Sequence, residues 1–481
     1  MTVRKGLHNM LSNDLRDWLK ERKKNHRLKL IEGADWNIEL STVAQLNTGK
    51  EPPALLFKRI KDYPPGYGVV CGALRTQSNI ESVLGLPSHK SRLDLLKTLQ
   101  TKFPEWEAKA AGYPPRFVKS GPVLEEVHSA KDVDVLEFPA PKWHDFDGGR
   151  YIGTGDIIVT RNPYTDEVNF GTYRVMVHDA TTLGIMIVPG HHGFINMARY
   201  HEQGKACPVA ISLGHHPLLF AASALDIPGS EYNFAGAVRG KPFNVIKEEI
   251  TGLPIPADSE IVLAGWFPVG ARRKEGPFGE WTGYYASGET SSPVMEIERI
   301  YHRKDPSILG CSMYRPPDDF SPFSTLARSA MLFNELKKND VPDVQGCWLS
   351  ESGVHTFITI SIKQRYPGHA KQAGIVASHS AVTANMGRYI VVVDEDIDPT
   401  NINEVIWAMG FRSDPKNSID IIRNAWSNPL DPMIRKPSKA LVNSRAIIDA
   451  CRPFDWIDTF PKVVEINPEV ARRVREKWAL E

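Results

Sequence analysis

Apolar spacing along the chain changes character twice. At the start, helical periodicity alternates with short apolar runs. A helix is expected from about Asn13 into the basic stretch 20–29, strands at 54–57 and 68–71, and a further helix whose Leu95, Leu96, Leu99 and Phe103 share one face. That last helix is predicted to stop before Pro104, because proline lacks the donor for the preceding turn and crowds it. Pro104, Gly112, Pro114, Pro115, Gly121 and Pro122 then read as a linker, so residues 1–115 are expected to form an α+β unit.

From Val133 the period shortens to two. Residues 152–160, 171–177, 184–188, 261–267 and 294–302 read as short strands between turn residues, with one helical segment near 196–203. Many short strands of this kind predict a barrel or sandwich over 116–320. In 321–481 the pattern alternates: helix 325–337, strand 356–362, a helix from about Gly368, strand 389–393 and helix 403–409, which predicts an α/β layer with at least partly parallel pairing. At the far end Asn467 and Pro468 suit N-cap and N1 positions, and Val470, Val474 and Trp478 recur at helical spacing. Such a helix needs a surface to pack on, and a second subunit is a candidate.

Composition excludes several classes. The 481 residues exceed one core and predict roughly two to three domains. Fifty-eight basic against 57 acidic residues leave a net charge of +1, which gives no grip on nucleic acid or a membrane surface; the basic stretch 20–29 is read as a solvated helix end, where cations complement the dipole. No apolar run nears the roughly eighteen residues of a membrane helix, and the start of the chain lacks the apolar core of a signal peptide, so a cytoplasmic protein is expected. Cys71, Cys207, Cys311, Cys347 and Cys451 are scattered without a CxxC pair, which argues against a zinc site or disulfide framework and for small buried hydrophobes.

The chemistry gathers around EGPFGEWTGYY, residues 275–285. Glu275 and Glu280 would face opposite ways on an unbroken strand, but Gly276, Pro277 and Gly279 interrupt the alternation and allow both to converge on one cavity. Trp281, Tyr284 and Tyr285 add bulk that favours burial and a raised carboxyl pKa. In NFGTYR, residues 169–174, a strand continuing as VMVHD would put Thr172, Arg174, Met176 and His178 on one face, and an arginine facing a cavity is a carboxylate clamp. Asn169 shares that site only if Gly171 bends the strand. His191 and His192 follow a Pro-Gly turn and offer a weak metal signal. Glu231 lies in SEYNFAGAVRG; oxygen from Asn169 and Glu231 with a histidine nitrogen would suit Mn²⁺ better than Ca²⁺, although spacing alone does not join the three. YPGHAK places Gly368 and Lys371 at a helix start, a common anion-binding arrangement. Asp394, Glu395 and Asp396 are read as a solvated turn before Pro399.

NFGTYR, SEYNFAGAVRG, EGPFGEWTGYY, YPGHAK and VVVDEDIDP occur in the order and approximate spacing of the UbiD family of prenylated-flavin decarboxylases, which the chain resembles from about 115 to 432. The resemblance implies a central split β-barrel holding prenylated FMN, flanked by an N-terminal α+β domain and a C-terminal α/β oligomerisation domain that ends in the terminal helix. It implies catalytic roles for Arg174, Glu275 and Glu280, and a flavin site that includes Thr172 and Tyr173. A Mn²⁺ on Asn169, His192 and Glu231 would anchor the flavin phosphate, with K⁺ near Ser223 and Lys371 on the phosphate. Many members carry Gln where this chain has His191, so the choice between His191 and His192 stays open. Trp281, Asn428 and Leu430 are expected to line the substrate pocket, and the segment PLDP is similar to that of hydroxybenzoate and vanillate decarboxylases.

The activity so implied is reversible, non-oxidative decarboxylation of an aromatic or α,β-unsaturated acid, or carboxylation in the reverse sense. Arg174 would position the carboxylate and keep Glu275 ionised, and Glu280 would deliver the proton that replaces carbon dioxide. A flavin prenyltransferase is the expected supplier of the cofactor, and a homo-oligomer, dimer or hexamer, the expected assembly. A rival reading is a cofactor-independent hydrolase with Glu275 and Glu280 as acid and base.

Overall fold

Thr290–His302, at 13 residues the longest strand among the described residues, organises the middle of the chain. The computed structural model describes residues 12–434 and 441–479 apart from Asp226 and Asn385. This strand pairs antiparallel with Thr182–Ile185, Ile261–Phe267, Arg272–Glu275 and Glu126–Ser129. The central path runs, in spatial order, Arg150–Gly153, Val175–Val177, Thr182–Ile185, Thr290–His302, Ile261–Phe267, Cys207–Leu213, Ile157–Arg161 and Val168–Gly171.

The chain order of these strands forces the sheet to curl. Val168–Gly171 is the last strand on the path and Val175–Val177 the second, and only Thr172, Tyr173 and Arg174 join them. Four Cα steps reach about 14 Å at most. In a flat sheet the same strands would stand six spacings, about 29 Å, apart. The two edges must therefore approach each other across a seam. Register shifts at Ala264/Gly265 and Tyr151/Gly153 supply local bends, and Gly265 sits so close to the Glu296 backbone that any Cβ there would collide with it.

The sequence expected unbroken strands over 152–160 and 171–177. Both are interrupted, at 154–156 and 172–174, because each changes strand partner midway. Arg174 thus lies in the seam and not on a strand face with Met176 and His178. The first helix, Leu15–Lys24, the strands at 54–58 and 68–71 and the central long strand fall close to where the periodicity puts them.

The helix Arg92–Lys109 does not stop at Pro104 but runs through it. Proline inside a helix costs about 3 kcal/mol. Continuing the helix buries Trp106, whose ring meets Phe103 at 5.6 Å and Phe234 at 6.3 Å between centroids, and burying an indole is worth about 4 kcal/mol or more. The N-terminal sheet, Leu28–Glu32, Ala54–Lys58 and Gly68–Cys71, takes its fourth strand from Ser307–Leu309, which pairs parallel with Gly68–Cys71. This return ties the first unit to the curled sheet.

The last third holds a five-stranded sheet in the order Val344–Leu349, Phe357–Ile362, Tyr389–Asp394, Val442–Ala450, Ile419–Trp426, parallel between its three central strands and antiparallel at both edges. Helices Ser321–Lys338 and His369–His379 share its apolar core. Asp394 is not in a solvated turn: it is fully buried and accepts from Arg412 at 3.0 Å, the Arg452 backbone at 2.7 Å and Gln364 at 2.7 Å. The terminal helix Pro468–Trp478 is capped by Asn467, whose Oδ1 accepts from Glu469 and Val470 N–H, and buries none of its residues. Among the described residues no helix is long and apolar enough to cross a membrane, and all five cysteines are buried and free.

Replacing Trp106 by Ala removes the packing that carries the helix past Pro104. Urea unfolding followed by circular dichroism is expected to show a loss of about 3–5 kcal/mol; a loss under 1 kcal/mol would mean that Trp106 does not hold this turn.

Candidate active site

The seam segment delivers Arg174 into a buried cluster. Its Nε and Nη2 donate to the two oxygens of Glu275 at 2.8 and 2.6 Å, while Nη1 donates to Glu280 and, at 3.0 Å, to Ser287 Oγ. Glu275 ends the strand Arg272–Glu275, is fully buried, and also accepts from the Tyr151 hydroxyl at 2.9 Å. The ring of Phe278 stands 5.4 Å from the guanidinium and 4.4 Å from the Tyr151 ring.

The turn between the two acids explains how both reach one guanidinium. Gly276 has φ +86°, and a Cβ there would strike the Gly288 carbonyl. Gly148 lies against the Gly276 carbonyl with no room for a Cβ; its N–H donates to Pro277 O at 2.8 Å, and Gly279 N–H donates to Asp147 Oδ1 at 2.9 Å. The loop is thus clamped to residues 147–148, and the strand alternation that would separate Glu275 from Glu280 is cancelled.

Electrostatics distinguish the two acids. One guanidinium between two carboxylates leaves a net negative charge in a place closed to water, so the cluster favours one extra proton. Burial pushes the Glu280 carboxyl above the usual range; Arg174 opposes that, and the negative charges of Glu275 and Asp147 reinforce it. Burial works against the charge of Arg174, yet Glu280 and Glu275 together raise its pKa.

A cavity of about 250 Å³ opens beside Glu280. Thr172, Tyr173, Arg174, His191, Ser223, Glu280, Trp281, Asn428 and Leu430 all line it; Glu275 does not. The lining also holds residues to which no sequence pattern pointed: Arg328 on the helix Ser321–Lys338, and His355, whose ring meets Trp281 edge-on at 5.0 Å. Burial and the nearby charge of Arg328 push the His355 pKa well below its ordinary value, which leaves a neutral imidazole there. Tyr151 and Phe278 were also missed as site residues, although Phe278 lies inside the motif; the others are lone residues at ordinary spacing.

A second group forms at the other end of the seam. Asn169 Nδ2 donates to Glu231 Oε1 at 2.6 Å and lies 3.5 Å from His192 Nδ1, and Phe170 N–H donates to Glu231 Oε2 at 3.3 Å. Glu231 begins the helix Glu231–Arg239 and His192 begins His192–Glu202. The buried Oδ1 of Asn169 has no hydrogen-bond partner among the described residues. Burial raises the Glu231 carboxyl to about 7, a cost that a cation would offset. With the Asn169 amide turned over so that Oδ1 replaces Nδ2 beside Glu231 and His192, two oxygens and an imidazole nitrogen would fit a hard or borderline divalent ion. Of the adjacent histidines, His192 belongs to this group; His191 faces the cavity with its ring 5.9 Å from Tyr173. Lys371 joins neither group: it is 55% exposed on the helix His369–His379 and pairs with Asp420 at 2.9 Å, because the helix start turns it toward the strand Ile419–Trp426.

Family models of 3-octaprenyl-4-hydroxybenzoate carboxy-lyase match 19–99 (N-terminal domain), 116–316 (Rift-related domain) and 323–450 (C-terminal domain). The chain belongs to the UbiD family. It is 31% identical over 423 residues, 85% of each chain, to a phenolic acid decarboxylase of Sedimentibacter hydroxybenzoicus. The fold superposes on the closed form of vanillic acid decarboxylase from the same organism with TM-score 0.85 and 28% identity, covering 97% of this chain and 99% of that one. It also superposes on an evolved dimeric form of the UbiD-class enzyme HmfF of Pelotomaculum thermopropionicum in complex with prFMN, with TM-score 0.79 and 26% identity, covering 96% and 98%.

For this UbiD-family chain, Gly148→Ala is a direct test of the clamp. The added methyl presses on the Gly276 carbonyl and shifts the turn that holds both acids. The expected outcome is a cost of about 1–3 kcal/mol in stability and a fall of about 10²-fold in kcat; unchanged kinetics would show that the two acids do not depend on this contact.

Proposed function

We propose that this chain is a reversible, non-oxidative decarboxylase of a phenolic or related aromatic acid that works with prenylated FMN. The observation that carries this reading is one buried guanidinium, Arg174, shared by Glu275 and Glu280 at the wall of a cavity. A hydrolytic acid and base pair is disfavoured, because Glu275 is sealed from the cavity by its bonds to Arg174 and Tyr151 and has no place for a water.

The residues present fit the cofactor. Asn169, His192 and Glu231, with the unpartnered Asn169 oxygen, are the proposed Mn²⁺ ligands that would anchor the flavin phosphate, and K⁺ is assigned near Ser223. Thr172, Tyr173 and His191 would contribute to holding the flavin, with the curled sheet as the proposed split barrel. When bound, prenylated FMN supplies the electron sink that carbon–carbon cleavage requires.

The protein's own contribution is orientation and one proton. Arg174 holds Glu275 fixed through two parallel bonds, and burial, reinforced by the negative charges of Glu275 and Asp147, raises the pKa of Glu280, the proposed proton donor. Loss of carbon dioxide leaves electron density at the carbon that carried it, and Glu280 donates its proton there; the reverse direction takes that proton back. Trp281, Leu430 and Asn428 shape the slot for a flat ring, and neutral His355 beside Trp281 suits a phenol hydroxyl. The named activities of relatives, phenolic and vanillic acid decarboxylation, are consistent with this wall. The terminal helix, with Val470, Val474 and Trp478 all exposed, and the exposed Ile406 and Phe411 of Ile402–Arg412 supply apolar area for a homo-oligomer of a cytoplasmic enzyme.

With protein co-expressed with a flavin prenyltransferase, Glu280→Gln is expected to keep the flavin bound, lower turnover by about 10² to 10⁴ or more, and abolish exchange of the product's ring hydrogen with deuterated water. In the unsubstituted enzyme kcat should fall as pH rises through the raised Glu280 pKa, since the acid must hold its proton. Near-normal exchange in Glu280→Gln, or a level profile at high pH, would move the donor elsewhere.

Glu231→Ala is expected to lose flavin and manganese together, read by absorbance and metal analysis of the purified protein. Full retention of both would remove Glu231 from the anchor.

A further inference from the structure

Far from the cavity, His302 ends the long strand Thr290–His302 and His128 lies on its neighbour Glu126–Ser129. The register pairs His302 with Glu126 and Ile300 with His128, so the two histidines stand diagonally on one face of the sheet. Their rings meet edge to face at 4.9 Å, and the two Nε2 atoms are 3.3 Å apart. Glu137, at the end of the short turn Val135–Glu137, brings Oε1 to 2.9 Å from His128 Nδ1. His302 Nδ1 stands 2.9 Å from the Arg303 carbonyl.

Tautomers decide what this arrangement lacks. A carbonyl only accepts, so His302 carries its proton on Nδ1 and turns the Nε2 lone pair toward His128. If His128 carries its own proton on Nδ1, toward Glu137, two lone pairs face each other across 3.3 Å. If it carries that proton on Nε2, a lone pair faces the Glu137 carboxylate across 2.9 Å. With Glu137 ionised, either arrangement leaves the trio one positive charge short. Two bonds of about 2.05 Å at a tetrahedral angle put their nitrogens about 3.3 Å apart, which is the Nε2 separation observed. The Arg303 carbonyl on the far nitrogen of His302 is also the pattern that orients a metal-bound histidine.

We infer that His128, His302 and Glu137 form a second metal site, for a borderline divalent cation of the zinc class, separate from the flavin anchor. All three donor atoms lie within 4.8 Å of one another. Ligands across an ion with bonds of about 2.1 Å stand at most about 4.2 Å apart, so a shift of about 0.6 Å or less completes the set. Nitrogen-rich donors favour zinc, nickel or copper over magnesium or calcium. Glu275 pairs with Thr290, and His302 lies twelve residues further along that strand, about 40 Å at 3.4 Å per residue. The ion would pin Glu126–Ser129 and the Val135–Glu137 turn to the far end of the sheet, acting on stability and not on chemistry.

The test uses the full-length holoenzyme, stripped with chelator, desalted and dialysed against micromolar Zn²⁺, with bound zinc counted by mass spectrometry and thermal unfolding recorded with and without the ion. One zinc is expected to persist in Glu231→Gln and to bind at least about tenfold more weakly in both His128→Gln and Glu137→Gln. Zinc should raise the melting temperature of the unsubstituted protein and of Glu231→Gln, and leave that of His128→Gln unchanged. Decarboxylation by His128→Gln at the normal rate shows that this variant is folded, and Glu137→Gln serves if it is not. If zinc occupancy depends only on Glu231, or is as high in both site variants as in the unsubstituted protein, the metal site is refuted.

Discussion

Everything at this site follows from one guanidinium that two buried carboxylates must share. Arg174 can satisfy Glu275 through two parallel bonds, and in doing so it has only Nη1 left for Glu280. An isolated buried carboxylate is costly, and a salt bridge repays that cost only when the geometry is close to ideal. The first pair meets this condition and Tyr151 strengthens it. The second does not, and Glu280 is therefore the carboxyl whose pKa burial raises. The two acids have different chemistry because they compete for one cation.

That competition requires the three residues to stay where they are, and the backbone does most of the holding. Arg174 comes from a short connection across the seam of the curled sheet, so its position depends on how the whole eight-strand path closes. Glu275 and Glu280 come from a loop clamped through Gly148, Asp147, Gly276 and Gly279. Two glycines appear at the closest approach because no other residue leaves room for a carbonyl oxygen there. A segment distant in sequence, 147–148, is as much a part of the acid pair as the motif that contains it.

The sequence disclosed the site better than it disclosed the strands. EGPFGEW announces a broken alternation through its own glycines and proline, and NFGTYR carries the arginine, so both halves of the Arg174 cluster were legible. Asn169, His192 and Glu231 do meet in space, but their spacing along the chain could not join them; the resemblance did. The breaks at 154–156 and 172–174 were illegible because apolar alternation continues straight across them, and only the change of strand partner marks the interruption. Pro104 misled for the opposite reason: its local rule is sound, but Trp106 and Phe234, far apart in the chain, outweigh it. Lys371 follows a helix start that suits an anion, yet Asp420 on a neighbouring strand claims it. Arg328 and His355 had no local signal, since their importance lies wholly in which surface they face.

The cavity is built from two independent parts of the chain. Arg174 and Glu280 come from the seam and the clamped loop, while Arg328, His355, Asn428 and Leu430 come from segments beyond residue 320. The two parts touch at Trp281, directly after Glu280, whose ring meets that of His355 at 5.0 Å. A lineage built on this plan can change the molecules it accepts by drifting in one half of its sequence while the reaction itself stays fixed in the other, and enzymes that share the inner half need not share a diet.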